Sequence, residues 1–153
     1  MRLSSMADYA VVIMSAAARH CGGCPLVAGD SKHGRVSAAQ LAEETRLPAP
    51  TVQKLVSKLT AAGLLISSRG VGGGLKLARS PESISVADIV EAVEGPIALT
   101  ACLEKGKSGG NSADQPDCQI EGGCHVRPHW PQVNAALRGA LAQVALTQLV
   151  EEV

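Results

Sequence analysis

The sequence predicts a mainly α-helical fold: a winged helix-turn-helix with a small β-hairpin wing, followed by a long C-terminal helix. Three observations predict it. Two short amphipathic segments are separated only by the tight turn Thr45-Arg46-Leu47-Pro48. A glycine-rich run, Arg69-Gly70-Val71-Gly72-Gly73-Gly74, lies between two short β-prone segments. An apolar stripe at helical spacing then occupies the region after Trp130.

Residues 4–19 predict a first helix, capped by Ser4 or Ser5, with Ala10, Ile13, Met14 and Ala17 on one face. Asp8 lies in its first turns, where a carboxylate interacts favourably with the helix dipole. Residues 20–35 are rich in Gly, Pro, Ser and Asp and predict a loop. It contains Cys21-x-x-Cys24, with His20 and His33 nearby, a set of S and N donors that tetrahedral zinc accepts. A single Cys-x-x-Cys is a weak signal for such a site.

The helix-turn-helix begins at Val36. Ser37 with Gln40 has the S-x-x-Q form of a capping box, and Ala38, Leu41 and Ala42 give the helix an apolar face. The second helix starts near Ala49-Pro50, where proline in the first turn loses no needed hydrogen bond. Val52, Leu55, Val56 and Leu59 form its inner stripe, which leaves Thr51, Gln53, Lys54, Ser57 and Lys58 on outer faces. Gly63 ends it. Leu64-Leu65-Ile66 and Leu75-Lys76-Leu77 read as the strands of a hairpin across the glycine-rich loop. A second helix of this kind fits a major groove. A glycine-rich wing lets backbone approach a phosphate or minor groove closely, and Arg69 supplies charge there.

Ser80-Pro81-Glu82 predicts a turn, and Ser85 caps a helix from Val86 to about Glu94, with Asp88 three residues after the cap. Its Val86, Ile89, Val90 and Val93 face is expected to pack under the wing. Gly95-Pro96 stops it. Residues 96–130 contain three cysteines, Cys102, Cys118 and Cys124, in a Cys-x15-Cys-x5-Cys spacing across a Gly-, Ser- and Lys-rich stretch. The final helix is expected from Pro131 to the C-terminus, with Val133, Leu137, Leu141, Val144 and Ala145 on one stripe and Leu146, Leu149 and Val150 widening it. Such a stripe beyond a small domain calls for a partner, and a second copy in a two-fold dimer supplies one. The resulting division is 1–95 for the DNA reader, 96–130 for the cysteine loop and 131–153 for a dimerisation helix.

Composition bounds the function. The net charge of zero divides: residues 1–80 carry ten Lys/Arg and four Asp/Glu, a difference of +6, and residues 81–153 carry the reverse, −6. A basic half holding the helix-turn-helix points to a polyanion. Tyr9 and Trp130 are the only aromatic residues, which argues against base stacking on aromatic platforms but not against duplex reading by a helix. No segment approaches the roughly 20 apolar residues that span a bilayer. No basic lead-in of the secretory kind precedes the apolar residues 9–18, so a cytoplasmic location is expected. Five cysteines in such a chain favour metal binding or redox sensing over disulfides. No strand-helix-strand pattern surrounds Cys21-x-x-Cys24 and no paired general acid and base stands out, so an enzyme is not expected.

Met1-Arg2-Leu3 with Asp8-Tyr9-Ala10, Leu41-Ala42, Val52 to Leu59, Gly63-Leu64-Leu65 and, above all, Arg69-Gly70-x-Gly72-Gly73-Gly74-x-x-Leu77 resemble the Rrf2 family of bacterial transcription regulators. Val86 to Val93 and three cysteines before a terminal helix complete the resemblance. It is most similar to the regulators of iron–sulfur cluster assembly, particularly of the sulfur-mobilisation (SUF) type. The resemblance implies a homodimer on double-stranded promoter DNA, a repressor or dual regulator. It also implies an iron–sulfur cluster, [2Fe-2S] or [4Fe-4S], held by Cys102, Cys118 and Cys124, in keeping with thiolates as the usual cluster ligands. Two departures stand out. The family commonly has about five residues between its first two cysteines, where this chain has fifteen, and Arg127 stands where one branch has histidine. A guanidinium is no ligand at ordinary pH. The fourth ligand is therefore open, ranked Asp8 (from the other subunit), then His129, then His125. For DNA the resemblance implies Pro50, Thr51, Gln53 and Lys54 facing the groove, Arg69 and Gly70 at the wing tip, Ser37 on a phosphate, and Lys58 or Lys76 as phosphate contacts or plain solvated charges. The alternative is a winged-helix regulator with a structural zinc or no metal.

Overall fold

The computed structural model describes residues 2–20, 34–103, 120 and 123–150. Helix α1 spans Ser5–Arg19, α2 Ala38–Thr45, α3 Ala49–Ala61, α4 Val86–Glu94 and α5 Trp130–Ala142. Strands β1, Leu65–Ser68, and β2, Gly74–Leu77, form an antiparallel hairpin between α3 and α4.

Helix α1 is the rod against which α2, α3 and α4 pack, and α5 lies on α4. The Ser4 hydroxyl accepts from the Ala7 amide at 3.1 Å and starts it. Its buried side is small: Ala7, Ala10, Ala16, Ala17 and Ala18 flank Ile13 and Met14, so neighbouring helices approach closely. The core is aliphatic, with Leu41, Val52, Leu55, Leu59, Leu64, Ile84 and Ile89 fully buried.

The capping box of α2 is present: the Gln40 amide donates to Ser37 Oγ at 3.1 Å and the Ser37 amide to Gln40 Oε1 at 2.9 Å. Arg46 turns the chain in a left-handed conformation, φ 57°. Gly63, φ 71°, supplies the reversal after α3. In the hairpin Leu65 faces Leu77 and Ser68 faces Gly74. Alternation buries Leu65, Leu75 and Leu77 and exposes Ile66 and Lys76. Val36 adds an edge bridge, exchanging hydrogen bonds with Leu75 at 3.0 and 2.8 Å.

Two expectations are corrected. Helix α4 does not lie chiefly under the wing; it packs against α1, with α3 and α5 as further neighbours. The alanine-lined side of α1 offers it a closer fit, and α1 also reaches β2. The terminal helix does not run from Pro131 to the end of the chain. It stops at Ala142, and the chain turns back. Val86 donates to the Val144 carbonyl at 2.9 Å, and Leu146 donates to the Ile84 carbonyl at 2.8 Å. A 3-10 turn over Leu146–Leu149 then packs on α1 and on the 3-10 turn Pro81–Ser83. Leu146 is fully buried, and Leu149 and Val150 pack against the same core. These apolar side chains are covered by their own domain, where an extended helix would have left them in water. Leu141 and Val144 likewise join Ala7, Val86 and Val90. Val133 remains 47% exposed, so only the early part of the stripe is left open.

Candidate nucleic-acid interface and cysteine region

The reader is assembled on a fixed face. Val52, Leu55 and Leu59 anchor α3 in the core, so Pro50, Gln53, Lys54 and Ser57 are exposed and Thr51 is half-buried. Pro48 and Pro50 fix the entry to α3, with the Thr51 and Val52 amides donating to the Pro48 carbonyl at 2.9 and 3.1 Å. Ser37 is exposed at the start of α2. Across α1 and α2 an ion-pair cluster holds the first helix of the pair. Arg19 Nε and NH2 donate to Glu44 Oε1 at 3.0 and 2.8 Å, and His20 Nε2 lies 2.8 Å from Oε2. Partial burial pushes the Glu44 carboxyl up, but hydrogen bonds and charge from His20 and Arg19 outweigh it and hold the group below its usual value.

Lys58 is not a free cation on the reading face. Its Nζ donates to the Val93 carbonyl at 2.6 Å, at the last turn of α4. This contact answers the negative end of the α4 dipole and satisfies a carbonyl that the helix leaves open. Lys58, expected as a phosphate contact or a plain solvated charge, is thus engaged within its own domain in the DNA-free chain. Lys76 is exposed on the outer face of β2.

The wing loop places Arg69, Gly70 and Val71 in solvent. Gly70 and Gly72 have φ of 97° and 77°. A Cβ on Gly73 would lie 2.5 Å from the Ser68 carbonyl oxygen and 2.8 Å from that of Gly70. The loop is thus a tight turn whose closure needs glycine at that position. Sequence reasoning missed Arg35. Its NH1 donates to Ser68 Oγ and to the Gly72 carbonyl, the latter at 3.1 Å, bracing both ends of the loop.

Cys102 lies in a 3-10 turn, Ala101–Leu103, with Thr100 Oγ1 at 3.2 Å from its sulfur. Cys124 precedes the 3-10 turn Arg127–His129, and its carbonyl accepts from the Arg127 amide at 3.3 Å. Both thiols are free and half-buried. Cys118 lies outside the described residues, as do Cys21, Cys24 and His33. Asp8, His125 and His129 are exposed. Among the described residues no three His, Cys, Asp or Glu side chains gather as a metal site, so Asp8 is not brought to both described cysteines within one chain. The donors that are described, two unbridged and partly accessible thiols, suit soft metals and iron–sulfur centres. A second residue missed in the sequence is Asn134 on α5. Its side-chain amide donates to the Ile97 carbonyl at 2.7 Å and accepts from the Leu99 amide at 3.1 Å. It therefore fixes the approach to Cys102; an asparagine inside an apolar helical stripe was the available signal.

Comparison with known proteins settles the class. The profile of a family described as iron-dependent transcriptional regulators, Rrf2, matches residues 3–152. The chain belongs to the Rrf2 family. Among curated Rrf2-type relatives, the HTH-type transcriptional regulator IscR of Klebsiella pneumoniae is 31% identical over 150 residues, covering 98% of this chain and 80% of that one. IscR of Vibrio campbellii is 28% identical over 152 residues, covering 99% and 79%. Among solved structures, CymR, described as the global cysteine regulator of B. subtilis, superposes with a TM-score of 0.68 at 26% identity, covering 100% of this chain and 98% of that one. IscR of T. potens superposes with a TM-score of 0.65 at 25% identity, covering 99% and 88%. This Rrf2 chain is therefore a DNA-binding transcriptional regulator of winged-helix fold and not an enzyme. Among its described residues no helix is long and apolar enough to cross a membrane.

Proposed function

We propose that this protein is a cytoplasmic, homodimeric regulator that reads promoter DNA and senses iron–sulfur cluster status through Cys102, Cys118 and Cys124, controlling iron–sulfur assembly genes. The observation that carries the reading is the placement of free, half-buried Cys102 on the segment joining the DNA reader to α5. That segment leaves α4 beside the Lys58 contact and is held to α5 by Asn134. The IscR relatives and the iron-dependent description of the family support it.

Gln53, with Pro50, Thr51 and Lys54, faces the major groove, where Gln pairs with adenine and Lys reaches guanine or phosphate. Ser37 meets a phosphate, and Arg69 with Gly70 meets the backbone or minor groove beside it. The still-open Val133 side of α5 contributes to the two-fold contact. Asp8, exposed in the first turns of α1, is the leading fourth ligand from the second copy, ahead of His129 and His125. A bound cluster supplies a centre sensitive to oxygen, nitric oxide and iron supply. The chain's own part is to hold three thiolates on a tethered segment and to pass their rearrangement to the paired recognition helices. A tenfold change in DNA affinity requires only about 1.4 kcal/mol of coupling.

The test is an oxygen-free preparation assayed for iron, sulfide and absorbance near 400 nm, with affinity measured on a duplex selected from a random-sequence pool. We expect a coloured dimer whose affinity shifts on cluster loss, and a colourless but dimeric Cys118→Ser variant. A colourless zinc-loaded or metal-free wild type with the same affinity would leave a plain DNA-binding regulator.

A further inference from the structure

We infer that Arg35 is the positioning residue of the wing: it holds the glycine-rich loop in its DNA-binding shape before DNA arrives. The inference rests on the reading that the wing touches the duplex. It starts from the strand segment before α2. Val36 is fixed as the edge partner of Leu75, and it is only 2% exposed. Extended backbone alternates its side chains, so Arg35 and Ser37 emerge on the opposite, exposed side. The segment sits hard against the start of β2. A Cβ built on Gly74 would lie 3.2 Å from the Val36 carbonyl oxygen and 3.3 Å from Arg35 Cβ. The base of the Arg35 side chain is thereby aimed along the hairpin toward its loop.

The guanidinium then spans that loop. One terminal nitrogen, NH1, reaches Ser68 Oγ at the end of β1 and the Gly72 carbonyl on the returning limb. Inside the span the loop closes on itself through the Gly73 amide, which donates to the Gly70 carbonyl at 2.8 Å. Four glycines between residues 70 and 74 make this the segment with the most backbone freedom to lose. A loop that orders only on contact with DNA spends interaction energy on ordering, whereas a braced loop does not. The brace comes from outside the hairpin, so the hairpin's own register does not replace it. Nε and the second terminal nitrogen of Arg35 make no hydrogen bond to any other described residue, so the planar fork is held by one edge only.

A role in shape differs measurably from a role in charge. Arg35→Lys keeps the positive charge, but its side chain ends one bond short of the position from which NH1 serves both acceptors, so the ammonium does not reach the Ser68 hydroxyl and the Gly72 carbonyl together. Arg35→Ala removes both the charge and the reach. We expect each variant to bind the duplex selected from a random-sequence pool about tenfold more weakly than wild type. The salt slope of Arg35→Lys should match wild type. In the DNA-free protein, hydrogen exchange at the Gly73 amide should accelerate at least tenfold in both variants, while Leu55 and Leu59 amides in α3 exchange as before. Full affinity in Arg35→Lys, or unchanged exchange at Gly73, would overturn the brace. Arg69→Ala serves as the control for the wing reading. If it binds as wild type does, the wing is not a contact and the brace falls with it. If Arg69→Ala is weak while both Arg35 variants are strong, the wing reading stands and the brace alone fails.

Discussion

Lys54 and Lys58 are four residues apart on the same helix and have different fates. Lys54 is exposed on the outer face of α3, whereas the Lys58 ammonium is taken by the Val93 carbonyl. Substitution separates them. Lys54→Ala or Arg69→Ala should weaken duplex binding and lower the slope of log affinity against log salt by about 1, with the cluster spectrum intact. Lys58→Met should leave that slope unchanged and reduce unfolding stability by roughly 1–2 kcal/mol, measured by denaturant titration, because a charge-assisted hydrogen bond to a helix end is lost. Periodicity located both lysines correctly on non-core faces. It did not show the fold of Lys58 onto α4, since that depends on how a helix 35 residues distant in sequence is docked. Arg35 and Arg46 were illegible for related reasons. A brace across a loop and a left-handed arginine leave no mark in spacing or propensity. Glu44 supplies a pH test. Its folded-state carboxyl is held below the unfolded value, so its stabilising effect is present at neutral pH and is lost as pH falls through the folded value. Glu44→Gln should therefore be less stable than wild type near pH 7, and the gap should close in acid below the ordinary glutamate range.

At the scale of elements, local chemistry was the reliable guide. Capping boxes at Ser37/Gln40 and Ser85/Asp88, the proline-started α3 and the glycine after it all stand where their residues place them. These signals act within one turn of chain and need no knowledge of neighbours. Asp88 shows the same chemistry electrostatically. Partial burial raises its carboxyl, and hydrogen bonds from Ser85 more than reverse that. The misreadings concern what each apolar face meets. The α4 stripe was recognised, but its cover is chiefly α1, not the wing. The stripe after Trp130 was read as one helix because apolar spacing continues through Leu149. Nothing in spacing marks the extended stop at Val144 and Ala145, which is made by pairing with Ile84 and Val86. Leu146→Ala tests the consequence. Removing a fully buried leucine should cost about 2–5 kcal/mol of stability, and urea unfolding followed by helix content should show a single earlier transition for α1 and α4 together. A variant as stable as wild type would show the returning turn to be only laid on the surface.

For the whole molecule, the division of charge has a structural counterpart. The basic portion includes the reader, α3 and the wing, while acidic Glu91 of α4 faces Arg138 of α5 through two hydrogen bonds of 2.9 Å. The reader and the later part of the chain are one packed body through α4, which touches α1, α3 and α5. The cysteine region was legible as a spacing of thiols; which further donor would join them under the proposed function was not, because Asp8, His125 and His129 are all exposed and spacing alone does not rank them. The return of residues 144–149 beneath α1 has a consequence for biogenesis. Because Leu146 completes the core that positions α1 against α4, a nascent polypeptide still inside the ribosome tunnel at that residue has a reader without its keystone. Promoter competence is therefore expected only once the chain has grown far enough for residues 144–149 to leave the tunnel, and a product truncated before that turn would not compete for operators.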